Sequence, residues 1–193
     1  MNILKKDYWK LFAILLCACL SFLCNPTPGQ SVEPTINDVI ITNNKENVLL
    51  YARLMNGFKT DMESTILAGV PAVFTLHLEV YQARSVVWDK KVTSSEIKRT
   101  IKYDNLKKTF SIFTNGNGTP VVFSDFESAQ KAMADLSGIV VVPLQKLIRG
   151  NNYYIQFKVK IDKVRLPLYM EYVFLFVSYW DFETAWYKQR FSY

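Results

Sequence analysis

Apolar side chains recur at every second position through two long segments of this 193-residue chain. In residues 71–84, Val73, Thr75, His77, Glu79 and Tyr81 alternate with Phe74, Leu76, Leu78 and Val80. In residues 153–164, Ile155, Phe157, Val159 and Ile161 alternate with Gln156, Lys158, Lys160 and Asp162. Successive side chains of an extended strand point to opposite faces, so this repeat demands strands with one buried face and one wet face. A helix needs its apolar residues three and four apart, and these are not. Shorter strands are expected at residues 36–42, 48–55, 97–103, 109–113, 120–123 and 139–142. Residues 170–179 (MEYVFLFVSY) are nearly continuously apolar, which suits a central strand covered on both faces.

The segments between the strands carry turn and helix signals. Asn115-Gly116-Asn117-Gly118 and Arg149-Gly150-Asn151-Asn152 are runs of residues that tolerate positive φ. Ser124-Asp125-Phe126-Glu127 has the spacing of a capping box, with Ser124 as N-cap. Phe126, Ala129, Met133 and Leu136 then share one helical face, and Gly138 ends the helix. A second short helix is expected over residues 61–67, ahead of Gly69 and Pro71. With 50% hydrophobic and 21% charged residues the chain can fill a core. The expected fold is mostly β: an immunoglobulin-like antiparallel β-sandwich with one or two short connecting helices. A one-sheet α+β fold is the alternative.

The N-terminus reads as an address. Lys5, Lys6 and Lys10 precede an uncharged run, LFAILLCACLSFLC, over residues 11–24, and NPTPGQS then breaks any helix. A charged start, an apolar middle and a small-residue exit describe a secretory signal peptide. Its 14 residues would reach roughly 21 Å as a helix, short of the ~30 Å hydrocarbon core. The expected organisation is a signal peptide or anchor helix over residues 1–24, a proline-rich linker over 25–35, and one β-sandwich domain over 36–193. The protein is then exported, to the periplasm or cell envelope. Two other fates stay open: membrane contact through a retained segment 11–24, or lipidation at Cys19 within Leu16-Cys17-Ala18-Cys19. All three cysteines precede residue 25, so a chain cut past Cys24 has no disulfide and relies on its core.

Composition also narrows the chemistry. His77 is the one histidine, which removes most metal sites and most Cys/His or Ser/His/Asp catalysis. No phosphate-cradling loop, CxxC pair or metal-spaced cluster occurs, so no cofactor and no metal are expected. The formal charge of +6 falls to +4 without residues 1–24, and the basic residues alternate with apolar ones. A nucleic-acid binder needs a concentrated basic face, so nucleic acid is not an expected partner.

The most distinctive segment is Trp180-Asp181-Phe182-Glu183-Thr184-Ala185-Trp186-Tyr187. An unbroken strand puts Trp180, Phe182, Thr184 and Trp186 on one face and Asp181, Glu183, Ala185 and Tyr187 on the other. Trp180, Phe182 and Trp186 then form either an aromatic platform for a ligand or an aromatic closure of the core. Asp181 and Glu183 suggest a carbohydrate-active enzyme as an alternative, but they point the same way, roughly 6–7 Å apart. Paired catalytic carboxylates instead face each other across a substrate. His77 reads as a partly buried or surface residue. Trp88-Asp89-Lys90-Lys91 reads as a strand end with an aromatic lid, and Asn117-Gly118-Thr119 as a glycosylation sequon or a tight turn.

The leader, the alternating strands, the Glu63–Pro71 stretch (ESTILAGVP), the strand end Tyr103-Asp104-Asn105-Leu106 and above all WDFETAWY carry a resemblance. Over residues 35–191 the chain resembles an exported bacterial family, number 4390 among the domains of unknown function. That family has no established activity, ligand or catalytic residue, so the resemblance transfers no site. In some bacteria its genes lie beside a membrane sensor kinase pair, which implies a place near envelope signalling. The expected function is a non-enzymatic binding or interaction module for an unknown protein or envelope ligand. A membrane-tethered structural or assembly factor is the further alternative.

Overall fold

The computed structural model describes residues 33–59, 61–116, 118–162 and 182–193. The leader, Cys19, the sequon residue Asn117, the strand expected at 170–179, Trp180 and Asp181 lie outside the described residues. Glu33–Tyr193 is one compact unit.

The alternating segments form strands paired side by side. β3 (Ala72–Gln82) lies between β4 (Lys90–Asp104) and β8 (Asn152–Asp162), antiparallel to both. Register matches apolar to apolar across β3 and β8: Phe74 faces Ile161, Leu76 faces Val159, Leu78 faces Phe157 and Val80 faces Ile155. All eight are buried. β5 (Thr109–Thr114) and β6 (Val121–Phe123) continue the sheet beyond β4. On the other side β8 pairs with β9 (Phe182–Glu183) and β10 (Tyr187–Ser192). A second, three-stranded antiparallel sheet has the order β1-β2-β7, from Thr35–Asn43, Asn47–Met55 and Ile139–Pro143. Val48, Leu50, Ala52 and Leu54 of β2 are buried in one cluster with the inward rows of β3 and β8. The fold is thus mostly β, two antiparallel sheets packed over one core.

Among the described residues two α-helices pack onto the core. α1 (Met62–Leu67) buries Met62 and Ile66. It stops in a Schellman arrangement: Gly69 N–H donates to Ile66 O at 2.9 Å and Val70 N–H to Thr65 O at 3.2 Å. Gly69 adopts φ 94°, a conformation costly for any residue with a Cβ. α2 (Phe126–Ala134) buries Ala129 and Met133. Its last carbonyls meet the Arg99 guanidinium, which donates to Ala132 O at 3.1 Å and also to Asp135 O. Burial lowers the Arg99 pKa, and the Asp135 charge opposes that shift.

Two expectations need correction. The N-cap of α2 is Asp125, not Ser124: Asp125 is extended (φ −133°, ψ 156°) and its Oδ1 accepts from Ser128 N–H at 2.8 Å. Either residue type caps well, and the carboxylate adds favourable charge at the positive helix end. β4 also begins at Lys90 rather than near residue 97. Its first half, KKVTSSE, has little apolar signal but pairs with β3 apart from a bulge at Val92.

Core and cap give separable predictions. Phe157 is fully buried, so Phe157→Ala should cost about 3–5 kcal/mol in denaturant unfolding. Backbone and side-chain hydrogen bonds from Ser128 lower the Asp125 pKa below its ordinary 3.8. That cap stabilises the folded state fully above the unfolded pKa and stops doing so as pH falls through the folded value. Asp125→Ala should lower the thermal midpoint by a few degrees at neutral pH. The gap to wild type should close in strong acid.

Candidate functional site

Every second residue of β3 points away from the core, and the register carries that pattern across neighbouring strands. Lys98, Thr75, Lys160 and Glu183 form one row across β4, β3, β8 and β9. Glu96, His77 and Lys158 form the next, then Ser94, Glu79, Gln156 and Lys188. Lys91, Tyr81, Tyr154 and Arg190 form the last. This outer face of the large sheet brings together the sets expected to be wet in both alternating segments, but Thr75 is buried and His77, Glu79, Tyr81, Gln156, Lys158 and Lys160 are only part-exposed.

Charge on this face is paired within and between these rows. Glu79 Oε1 accepts from Lys91 Nζ at 2.5 Å, and its Oε2 accepts from Gln156 at 2.7 Å and Tyr81 Oη at 3.0 Å. The Lys91 hydrogen bond lowers the Glu79 pKa against the opposing effect of burial. His77 Nδ1 lies 3.1 Å from Glu96 Oε1. Thr75 Oγ1 donates to Asp162 at 2.6 Å. Lys158 Nζ donates to Glu183 Oε2 at 2.7 Å, which keeps Glu183 below its ordinary pKa. A general acid at neutral pH needs the opposite shift. Among the described residues, no group of three or more His, Cys, Asp and Glu side chains is placed to hold a metal.

Aromatic rings lie among these charges. Tyr81 and Tyr154 stack with centroids 5.1 Å apart and planes 12° apart. Lys188 Nζ sits 3.6 Å from the Tyr154 centroid, and Lys91 Nζ 5.8 Å from that of Tyr81. The result is a cation–ring–ring–cation ladder across four strands. Tyr154 Oη donates to Asp89 Oδ2 at 3.0 Å. Burial first, and that bond second, push the Tyr154 pKa up to about 12. Sequence reasoning missed this ladder because it depends on strand register. Its one visible signal is a tyrosine at a wet-face position in each alternating segment.

The C-terminal segment departs from the expected single strand. Between β9 and β10, residues 184–186 lie opposite Lys158 and Val159, one residue too many. This is a β-bulge, and it exchanges the two faces. Thr184 is buried: its N–H donates to Val159 O at 2.9 Å and its Oγ1 accepts from Val159 N–H at 3.1 Å. Tyr187, expected on the acid-bearing face, packs on the core residue Phe157 with centroids 5.4 Å apart. Trp186 points outward, 46% exposed, with Lys158 Nζ 5.1 Å from its ring. The backbone of Phe182 pairs with Ile161, while Trp180 and Asp181 lie outside the described residues. Of the platform residues, the described structure therefore places one ring, Trp186, on the outer face. Trp88 is no lid: it is 93% exposed in the loop joining β3 and β4.

An open cavity of 750 Å³ lies elsewhere, between the end of β2 and α2, with Arg53, Met55, Phe58 and Lys131 in its lining. That volume suits a small ligand. Its cations are engaged, Arg53 with Asp38 at 3.7 Å and Lys131 with Glu127 at 2.6 Å.

The bulge predicts an asymmetric pair of variants. Thr184→Val removes the acceptor of a buried N–H and should cost about 1–3 kcal/mol. Thr184→Ser keeps the oxygen and should cost much less. Denaturant unfolding of the two proteins measures the difference, and equal losses would mean the hydroxyl does not hold the bulge.

No curated protein and no solved structure matches the chain significantly. The family model described as Domain of unknown function (DUF4390) matches residues 32–190. That match covers the compact unit up to residue 190, including its alternating strands, so the chain belongs to the DUF4390 family.

Proposed function

We propose that this chain is an exported protein of the cell envelope that binds a partner rather than transforming a substrate, and that the outer face of the large sheet is its recognition surface. The observation that carries this reading is the ladder of Lys91, Tyr81, Tyr154 and Lys188, with Tyr154 itself buried beneath its partners, on the same face as the exposed ring of Trp186. Aromatic rings and their cations offer large contact area at low cost in side-chain freedom, the combination that dominates recognition surfaces. The acids on this face hold lysines or a histidine in place, which suits a preformed binding surface. Export is supported by the charged start and apolar run of residues 1–24.

A photo-crosslinking residue placed at position 186 tests the binding face in cells. It should give a discrete adduct that the same residue at Val140, exposed on the small sheet, does not give. Lys188→Ala together with Tyr81→Ala should abolish that adduct while the protein stays folded. Equal adducts from both positions would overturn the outer face as the recognition surface. Export is read separately by a C-terminal phosphatase reporter that is active only outside the cytoplasm.

A further inference from the structure

The loop of residues 83–89 between β3 and β4 has a fixed stem and an apolar tip. At the stem, Asp89 Oδ1 accepts from Arg84 N–H at 3.0 Å and its Oδ2 accepts from Tyr154 Oη at 3.0 Å. Ala83 N–H donates to Asn152 O at 2.9 Å and ties the same stem to β8. Both Asp89 bonds lower its pKa, so the pin is ionised at neutral pH. Beyond the stem, Val86, Val87 and Trp88 are 92%, 57% and 93% exposed. Ile148, 62% exposed, stands on the neighbouring turn before β8, at the same end of the sheet. A tight stem thus presents, among other residues, three adjacent apolar side chains to solvent.

Basic residues predominate around the tip, with Lys91 held by Glu79 at 2.5 Å. Segments 83–91, 148–152 and 188–192 meet at this end and carry Arg84, Lys90, Lys91, Arg149, Lys188 and Arg190. Their one acid is Asp89, whose two oxygens are taken up by the stem. Arg84 and Arg190 line one open crevice of 640 Å³ beside the tip, together with Ser85 and Asn152. A few side chains are too small a patch for a stable protein interface. They are sufficient for shallow entry into a bilayer interface, where tryptophan is favoured and basic residues meet lipid phosphates.

We propose that this end of the sandwich docks on an anionic phospholipid surface. Val86, Val87 and Trp88 enter the interfacial layer, and Arg84 and Arg190 receive headgroup phosphates in the crevice. This surface adjoins the ladder and shares Lys91 and Lys188 with it, but Val86, Val87, Trp88, Arg84 and Arg190 lie outside the ladder, so the two tests alter different residues and failure of either proposal leaves the other standing.

The test uses the full chain in vesicles of phosphatidylcholine and phosphatidylglycerol, made with plain or brominated acyl chains. The wild-type minus Trp88→Phe difference isolates Trp88 fluorescence. That difference signal should be blue-shifted and should lose most of its intensity in brominated vesicles. Val86→Ser with Val87→Ser should restore most of the intensity, as should Arg84→Gln with Arg190→Gln, both with an unchanged thermal midpoint. A Trp88 signal that bromine does not quench would overturn the docking. Equal quenching in pure phosphatidylcholine vesicles would overturn the anionic specificity, and so would restoration by added inorganic phosphate at matched ionic strength.

Discussion

Strand β3 is hydrogen-bonded along both edges, and much of the molecule follows from that. A strand paired on both sides cannot rotate or slip without breaking two ladders, so its alternation is imposed on β4 and β8. The inward row from Phe74 to Val80 is matched by Ile155 to Ile161, and together they form one wall of the core. Sliding β8 by one residue would put Lys158 and Lys160 inside and Phe157 and Val159 outside. The burial of those two apolar side chains, at roughly 1.5–3 kcal/mol each, therefore holds the register. The same register sets the outer face. Tyr81 meets Tyr154, and Glu79 meets Gln156, because the inner rows leave them nowhere else to be.

Order on the outer face comes from opposition of charge. Across the rows an acid is set against a base or a donor: Glu79 against Lys91 and Gln156, Glu183 against Lys158, Glu96 against His77. Exposed pairs of this kind contribute little to stability individually. They do restrict long side chains to single positions, which limits the conformational cost when something binds. Lysines that would otherwise sweep through solvent lie instead over Tyr81, Tyr154 and Trp186. The face is a relief of rings and cations held by their charge partners.

What the sequence made legible was whatever is written locally. Period two showed β3 and β8, paired Asn and Gly showed the turn after β5, and Gly69 showed the end of α1. The start of β4 was hidden because Thr93, Ser94 and Ser95 are small and polar, and their strand state comes from pairing with β3. The choice between Ser124 and Asp125 as cap was hidden because both side chains accept a backbone N–H, and only the local φ and ψ decide. The tyrosine ladder was hidden for a deeper reason. Each tyrosine was visible, but their meeting depends on strands far apart in the chain.

The bulge after Glu183 shows how one residue can redirect a surface. Without it, Trp186 would follow Thr184 inward and Tyr187 would face solvent. The extra residue lets Thr184 satisfy both the N–H and the C=O of Val159, then turns Tyr187 onto Phe157. Trp186 is the side chain left over, and it comes to rest beside Lys158 instead of in the core. The bulge also interrupts the regular ladder near the sheet edge, and the strand beyond it carries Lys188 and Arg190. Irregular, charged edges resist indiscriminate pairing with other strands. One local insertion therefore fills the core with a tyrosine, blunts an edge, and exposes a tryptophan on the face that the cations already line.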